Sequence, residues 1–259
     1  MKYKKHIYTV FNVEKWFASM RAKKRNRPFA GYSRVYHHHL MKTGGTSLNH
    51  MFLNLSNGGD DALYERLMNE TDLRLIYNDW VYTAWNQIVI SSGLYHYAWS
   101  HRPIYRILLP PNTFVITCIR HPYFRIYSRY KQLVEEYNQN QPLKYQYRET
   151  KDFSSDFEEY LTDIPQSELC HQLYMFSKRL DVNEGFERLK NVNYVLTIDT
   201  FDADVQHLNT LLNTDLAPLH KRKSKGQSMP HFGDAFKCVD EGLRPELEFY
   251  KRVLSYKNL

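Results

Sequence analysis

The hydrophobic pattern changes period several times along the chain, and each change marks an element. Arg34-Val-Tyr-His-His-His-Leu40 reads as a buried strand entering a turn. Leu48, Met51, Phe52 and Leu55 then recur at helical spacing, which predicts a helix from Thr46 that Gly58-Gly59 ends. A second helix follows over 60–69, with acids in its first turn. Leu94–Ser100 alternates like a strand, and Pro103, Pro110 and Pro111 punctuate a connector. Thr113–Ile119 is almost wholly apolar, the pattern of a central parallel strand covered on both faces. Pro122 opens a helix reaching Asn138, because proline suits a first helical turn. Further helices are predicted over 153–162, 166–179, 182–190, 201–213 and 243–255, with a strand at Tyr194–Ile198. Residues 71–92 fit neither period. Strands alternating with helices imply an α/β, P-loop-like three-layer fold with a central parallel sheet flanked by helices.

Residues 34–259 contain no linker or internal repeat and read as one domain, preceded by a basic arm over 1–33. In the arm, Val13, Trp16, Phe17 and Met20 predict a short amphipathic helix with a basic far side. Its apolar stripe is expected to pack on the domain; the alternative is contact with a membrane surface or an anionic polymer. The net charge of +7 belongs to this end of the chain. Residues 1–34 hold ten Lys/Arg and a single acid, Glu14. The body of the domain is therefore not expected to bind nucleic acid.

No apolar run approaches the ~20 residues that cross a bilayer, and no secretory signal is visible at the start. Cys118, Cys170 and Cys238 are far apart, with neither metal-ligand spacing nor a disulfide framework. These absences predict a cytoplasmic protein in a reducing compartment.

Two segments carry chemistry. Met41-Lys42-Thr43-Gly44-Gly45-Thr46-Ser47 lies at a strand-to-helix junction. Glycines there let backbone amides crowd a ligand, and a helix amino terminus presents unpaired N–H groups. Lys42 adds charge, while Thr43, Thr46 and Ser47 add hydroxyls, making a cradle for a phosphate-like dianion. The lysine precedes the glycines, unlike the nucleoside-triphosphate loop G-x-x-x-x-G-K-[ST]. The second segment runs from Arg120, at the end of the apolar strand, through Arg125 to Ser128. An arginine there is costly unless it meets an anion, so Arg120 and Ser128 are candidates for a second phosphate. His37 and His39 share one strand face and His38 the other, and no nearby Cys or carboxylate completes a metal set.

In this order the two segments resemble those of the 3′-phosphoadenosine-5′-phosphosulfate (PAPS)-dependent sulfotransferases. They are most similar to the carbohydrate branch with the heparan sulfate 2-O- and 6-O-sulfotransferases and bacterial relatives. The family's Lys-Thr-(Gly/Ala)-Gly-Thr-(Ser/Thr) loop grips the 5′-phosphosulfate. Its Arg-Asp-Pro-…-Arg-…-Ser-x-Tyr segment grips the 3′-phosphate. The resemblance implies Lys42, Thr43, Gly44, Gly45, Thr46 and Ser47 at the first site, and Arg120 and Ser128 at the second. His121 stands where the family has Asp. The family's histidine base maps onto His101, with His96 as runner-up, and the basic run Lys221–Lys225 onto a late loop that closes over the nucleotide. Expected partners are thus PAPS and its product PAP, with no metal, and an acceptor hydroxyl on a glycan or glycoconjugate. Golgi relatives are membrane-anchored, so a Golgi location would apply only if an anchor had been removed. The similarity covers 34–130 well and 150–226 loosely.

Overall fold

The computed structural model describes residues 13–139, 156–221 and 235–257. Helix α1 (Val13–Arg25) leads into strand β1 (Arg34–His38), helices α2 (Gly45–Asn54) and α3 (Asp60–Asn69), and strands β2 (Arg74–Tyr77) and β3 (Trp80–Ala84). Next come helix α4 (Gln87–Ser92), strand β4 (Tyr97–Ser100), a 3₁₀ turn (Ile104–Arg106), strand β5 (Thr113–Ile119) and helix α5 (Pro122–Asn138). Helices α6 (Phe157–Asp163), α7 (Gln166–Leu169), α8 (His171–Phe176) and α9 (Val182–Leu189) follow. Strand β6 (Tyr194–Thr197), helix α10 (Phe201–Leu212) and helix α11 (Asp240–Lys257) complete the described chain.

The six strands form one sheet in the order β2-β3-β4-β1-β5-β6. Every neighbouring pair is parallel except β2 with β3, so the fold is α/β with a mostly parallel sheet. Alternate side chains separate the two faces as the strand repeat requires. Val35, Tyr97, Trp99, Phe114, Ile116 and Cys118 pack with α2, α3 and α10 on one side. Tyr36, Ala98, Val115 and Ile119 pack with α8, α9 and α11 on the other. After β1 the chain moves toward β3 and β4; after β5 it moves toward β6. The carboxyl ends of β1 and β5 therefore flank a topological switch point, where open α/β sheets leave a crevice.

Several expectations need adjustment. The ambiguous 71–92 is a β2–β3 hairpin followed by α4, and the strand expected from Leu94 begins only at Tyr97. The helix expected over 166–179 is broken at Cys170 into α7 and α8. The stretch 140–155, including the start of the helix expected at 153, lies outside the described residues. Most instructive is α1. Its buried residues are Ser19 and Ala22, not the apolar stripe. Lys15 fastens this inner face by ion pairs to Glu70 (2.7 Å) and Asp72 (2.9 Å), and Lys23 donates to the Ser33 carbonyl. Long charged side chains dock the helix through their stems, leaving Val13, Phe17 and Met20 exposed.

Burial holds several histidines neutral. His37, His38 and His96 are pushed down to about 3, and His171 lies well below its ordinary value. The unfolded chain takes up these protons below about pH 6.5, so stability is complete above that pH and falls on acidification. The limiting slope is ~1.4 kcal/mol per pH unit for each histidine. Glu246, raised by burial, opposes with one proton. A melting-temperature series from about pH 7.5 to 4.5 should fall steeply below pH 6.5; a flat profile would contradict the buried neutral cluster.

Candidate active site

At the end of β1 the chain turns through Lys42 and Gly44, both left-handed (φ 65° and 86°). For a lysine that conformation costs about 1–2 kcal/mol, a strain typical of ligand-binding turns. Gly44 cannot be replaced cheaply. Its φ disfavours any side chain, and a Cβ would lie 2.5 Å from Ile198 Cδ1. Helix α2 starts at once at Gly45, so the amides of Gly45, Thr46 and Ser47 form a helix amino terminus at the carboxyl edge of the sheet.

The hydroxyls of this loop divide between inward and outward roles. Thr43 is buried and donates to the Leu40 carbonyl (2.9 Å). Ser47 accepts from the Lys221 amide (3.0 Å), which ties the start of the basic run 221–225 to the loop. Thr46 remains half-buried at the rim, and Lys225 lies outside the described residues.

Arg120 follows β5, directly beside this loop. Its Nη1 donates to the Lys42 carbonyl at 3.4 Å, so the two predicted anion-binding segments meet. Gln172 on α8 clamps the backbone of Arg120 from both sides. It accepts from the Arg120 amide (2.9 Å) and donates to the Arg120 carbonyl (2.9 Å). Gln172 is itself held by buried Glu246, whose carboxylate also accepts from the amides of Gln172 (3.1 Å) and Leu173 (2.8 Å). Arg120 Nε is buried with no hydrogen-bond partner among the described residues. Burial lowers the guanidinium's pKa, opposed by nearby Asp199. An unsatisfied buried donor beside an amide cradle suits an anionic ligand. Ser128 is half-buried two turns into α5 and makes no hydrogen bond to Arg120 or the loop. Arg125, on the same helix, is structural: it donates to the Leu169 carbonyl (3.1 Å) at the end of α7.

His101 stands just past β4. Its Nδ1–H donates to the His39 carbonyl (2.5 Å), which fixes the tautomer and leaves Nε2 as the basic nitrogen. Its ring lies against His39 (4.1 Å between centroids) and meets Trp85 edge-on (4.8 Å). Burial pushes its pKa down to about 4, the His39 carbonyl partly opposing. His96 has a different job. Nδ1 accepts from the Val81 amide (2.9 Å) and Nε2 donates to the Asn26 carbonyl (3.0 Å), so both nitrogens serve the backbone. This corrects the runner-up assignment: fully buried and doubly bonded, His96 is a structural bridge.

Sequence reasoning missed Asn49 and the placement of His39. The rings of His37 and His39 stack at 4.8 Å, and His38 turns the other way onto Phe176. Asn49 of α2 accepts from His37 Nδ1 (2.7 Å) and the Tyr97 hydroxyl (2.8 Å), and its amide donates to His39 Nδ1 (3.5 Å). This assigns the Nε2–H tautomer to His39, whose ring lies directly against Gly45. A Cβ on Gly45 would be 2.1 Å from His39 Cδ2 and 2.8 Å from His37 Cε1. Thus the second loop glycine makes room for an imidazole stack that reaches His101. Only the three-residue spacing of His39 from Lys42 hinted at this in the sequence. Among the described residues, no group of three or more His, Cys, Asp or Glu is placed to hold a metal.

No protein-family model matches the chain, and no curated protein matches it. Among solved structures, retinol dehydratase in complex with androsterone and inactive cofactor PAP is similar, at 14% identity over 92% of this chain and 87% of that one. The TM-score is 0.27.

Gly45→Ala should unfold more easily than the wild type by about 1–3 kcal/mol, because the stacked rings cannot give way. His39→Ala in the same chain should recover part of that loss as a coupling energy in urea melts. An unchanged Gly45→Ala stability would refute the close approach of His39.

Proposed function

We propose that this chain is a PAPS-dependent sulfotransferase acting on a hydroxyl acceptor, with a carbohydrate favoured. The observation that carries the reading is the Arg120–Lys42 contact, which joins two anion-binding segments at one crevice. The amide cradle and the orphaned Arg120 Nε fit a ligand with phosphate at both ends. PAPS supplies a sulfuryl group on a phosphate leaving group. Lys42, Gly44, Gly45, Thr46 and Ser47 hold the 5′ end, with the buried Thr43 hydroxyl bracing the turn. Arg120 and Ser128 take the 3′-phosphate, and Lys225 belongs to the basic run that closes over the nucleotide.

His101 accepts the acceptor proton at Nε2 as the new sulfur–oxygen bond forms, while Lys42 and the loop amides stabilise charge on the departing phosphate oxygen. Such transfer rests on positioning and electrostatics. A low pKa keeps His101 neutral, and so able to accept a proton, throughout the neutral range. The carbohydrate preference draws support from Trp85, half-buried beside His101; Trp80, Tyr95, Tyr97 and Trp99 are core.

Labelled PAPS, offered with a panel of glycans, lipids and small alcohols, tests the reading. Transfer should appear, Lys42→Ala should lower kcat by ~10²–10³, and His101→Ala by ~10²–10⁴. His96→Ala should lower the melting temperature without a comparable loss of kcat. PAP should raise the melting temperature more than ATP with Mg²⁺ does. No transfer to any acceptor, with ATP–Mg²⁺ the better stabiliser, would favour a phosphoryl-transfer enzyme instead.

A pH profile gives a separate check. With His101 near 4 in the free enzyme, kcat/KM should hold level from about pH 7.5 down to about 5.5. A fall beginning near pH 6.5, in protein shown to be folded, would exclude this histidine in this environment.

A further inference from the structure

We propose that the outward face of α1 docks on an anionic lipid membrane. Val13, Phe17 and Met20 lie on one strip of the helix and are 60%, 53% and 46% exposed. Lys24 continues the same strip, and Arg21, Arg25 and Arg27 are exposed beside it. Glu14 is the only exposed acid of the helix, and Arg25 reaches Asp79 at 3.3 Å. The twelve preceding residues carry three lysines and no acid.

The opposite face is fixed to the domain. Ser19 and Ala22 are buried, and Lys15 is paired with Glu70 and Asp72. Rolling the apolar strip inward would break those ion pairs and leave the buried Asp72 with Arg74 as its remaining cation. The strip therefore faces outward as a consequence of how the helix is held. Three large apolar side chains among cations match the interfacial pattern, in which alkyl and aromatic groups enter the headgroup boundary while Lys and Arg meet anionic lipid. A charged glycan or nucleic acid would use the cations alone and gain nothing from Phe17 and Met20. Charge complementarity together with this apolar strip selects a membrane surface as the occupant.

Vesicle co-sedimentation of the full chain tests the proposal independently of any transferase activity. Vesicles of about three parts phosphatidylcholine to one part phosphatidylserine should bind the protein. Pure phosphatidylcholine should bind it at least about tenfold more weakly. Phe17→Ala with Met20→Ala, and separately Arg21→Glu with Lys24→Glu, should each weaken binding about tenfold or more, with the melting temperature unchanged because all four side chains are exposed. Failure to bind the anionic vesicles overturns the proposal. So does equal binding to both vesicle types, or loss on charge reversal with indifference to Phe17 and Met20, which marks a polymer-type electrostatic contact.

Discussion

A half-buried guanidinium beside a strained lysine turn is the constraint on which the rest of the molecule depends. Burying Arg120 Nε with no partner among the described residues works against folding, and placing Lys42 in a left-handed conformation works against it again. Both costs fall at the carboxyl ends of neighbouring parallel strands. The sheet around them is committed to holding them there. The β1–β5 register aligns His38 with Thr117, whose hydroxyl donates to the His38 carbonyl at 2.9 Å. The last turns of the two strands are therefore pinned side by side.

Two supports keep this arrangement rigid. On one face of the sheet, Gln172 fixes the backbone of Arg120 through two part-buried bonds and is held in turn by buried bonds to Glu246, and a network of that kind is effective only when every member is satisfied. On the other face, Asn49 sets the tautomers of two stacked histidines, and the second loop glycine yields space to them. The Lys42 loop and His101 are thereby mechanically linked through His39, whose ring lies against Gly45 of one and whose carbonyl holds the other. Preorganisation of this sort is what a reaction driven by electrostatics needs.

Much of the scaffold was legible in the sequence where local pattern and tertiary role agree. Thr113–Ile119 and Pro122–Asn138 emerge at their expected boundaries because a central strand is apolar on both faces and proline starts a helix. That the Lys42 loop and Arg120 stand at the ends of strands was legible too, because each directly follows a run with strand pattern. The β2–β3 hairpin was not, since its strands are only four and five residues long and its turn uses Asn78 and Asp79 in left-handed geometry. The orientation of α1 was misread for a physical reason: ion pairs of Lys15 outweighed its short apolar stripe. His96 and His101 look alike in sequence, and only their hydrogen-bond partners separate a structural bridge from a candidate base.

On the proposed function, one ligand spans the Lys42 loop and Arg120. Calorimetric titration with adenosine 3′,5′-bisphosphate and with adenosine 5′-monophosphate, on the wild type, Lys42→Ala and Arg120→Ala, tests it most directly. The bisphosphate should bind the wild type more tightly than the monophosphate. Arg120→Ala should erase that advantage, and Lys42→Ala should weaken both ligands alike. An advantage that survives Arg120→Ala, or two ligands indifferent to Lys42, would contradict the account.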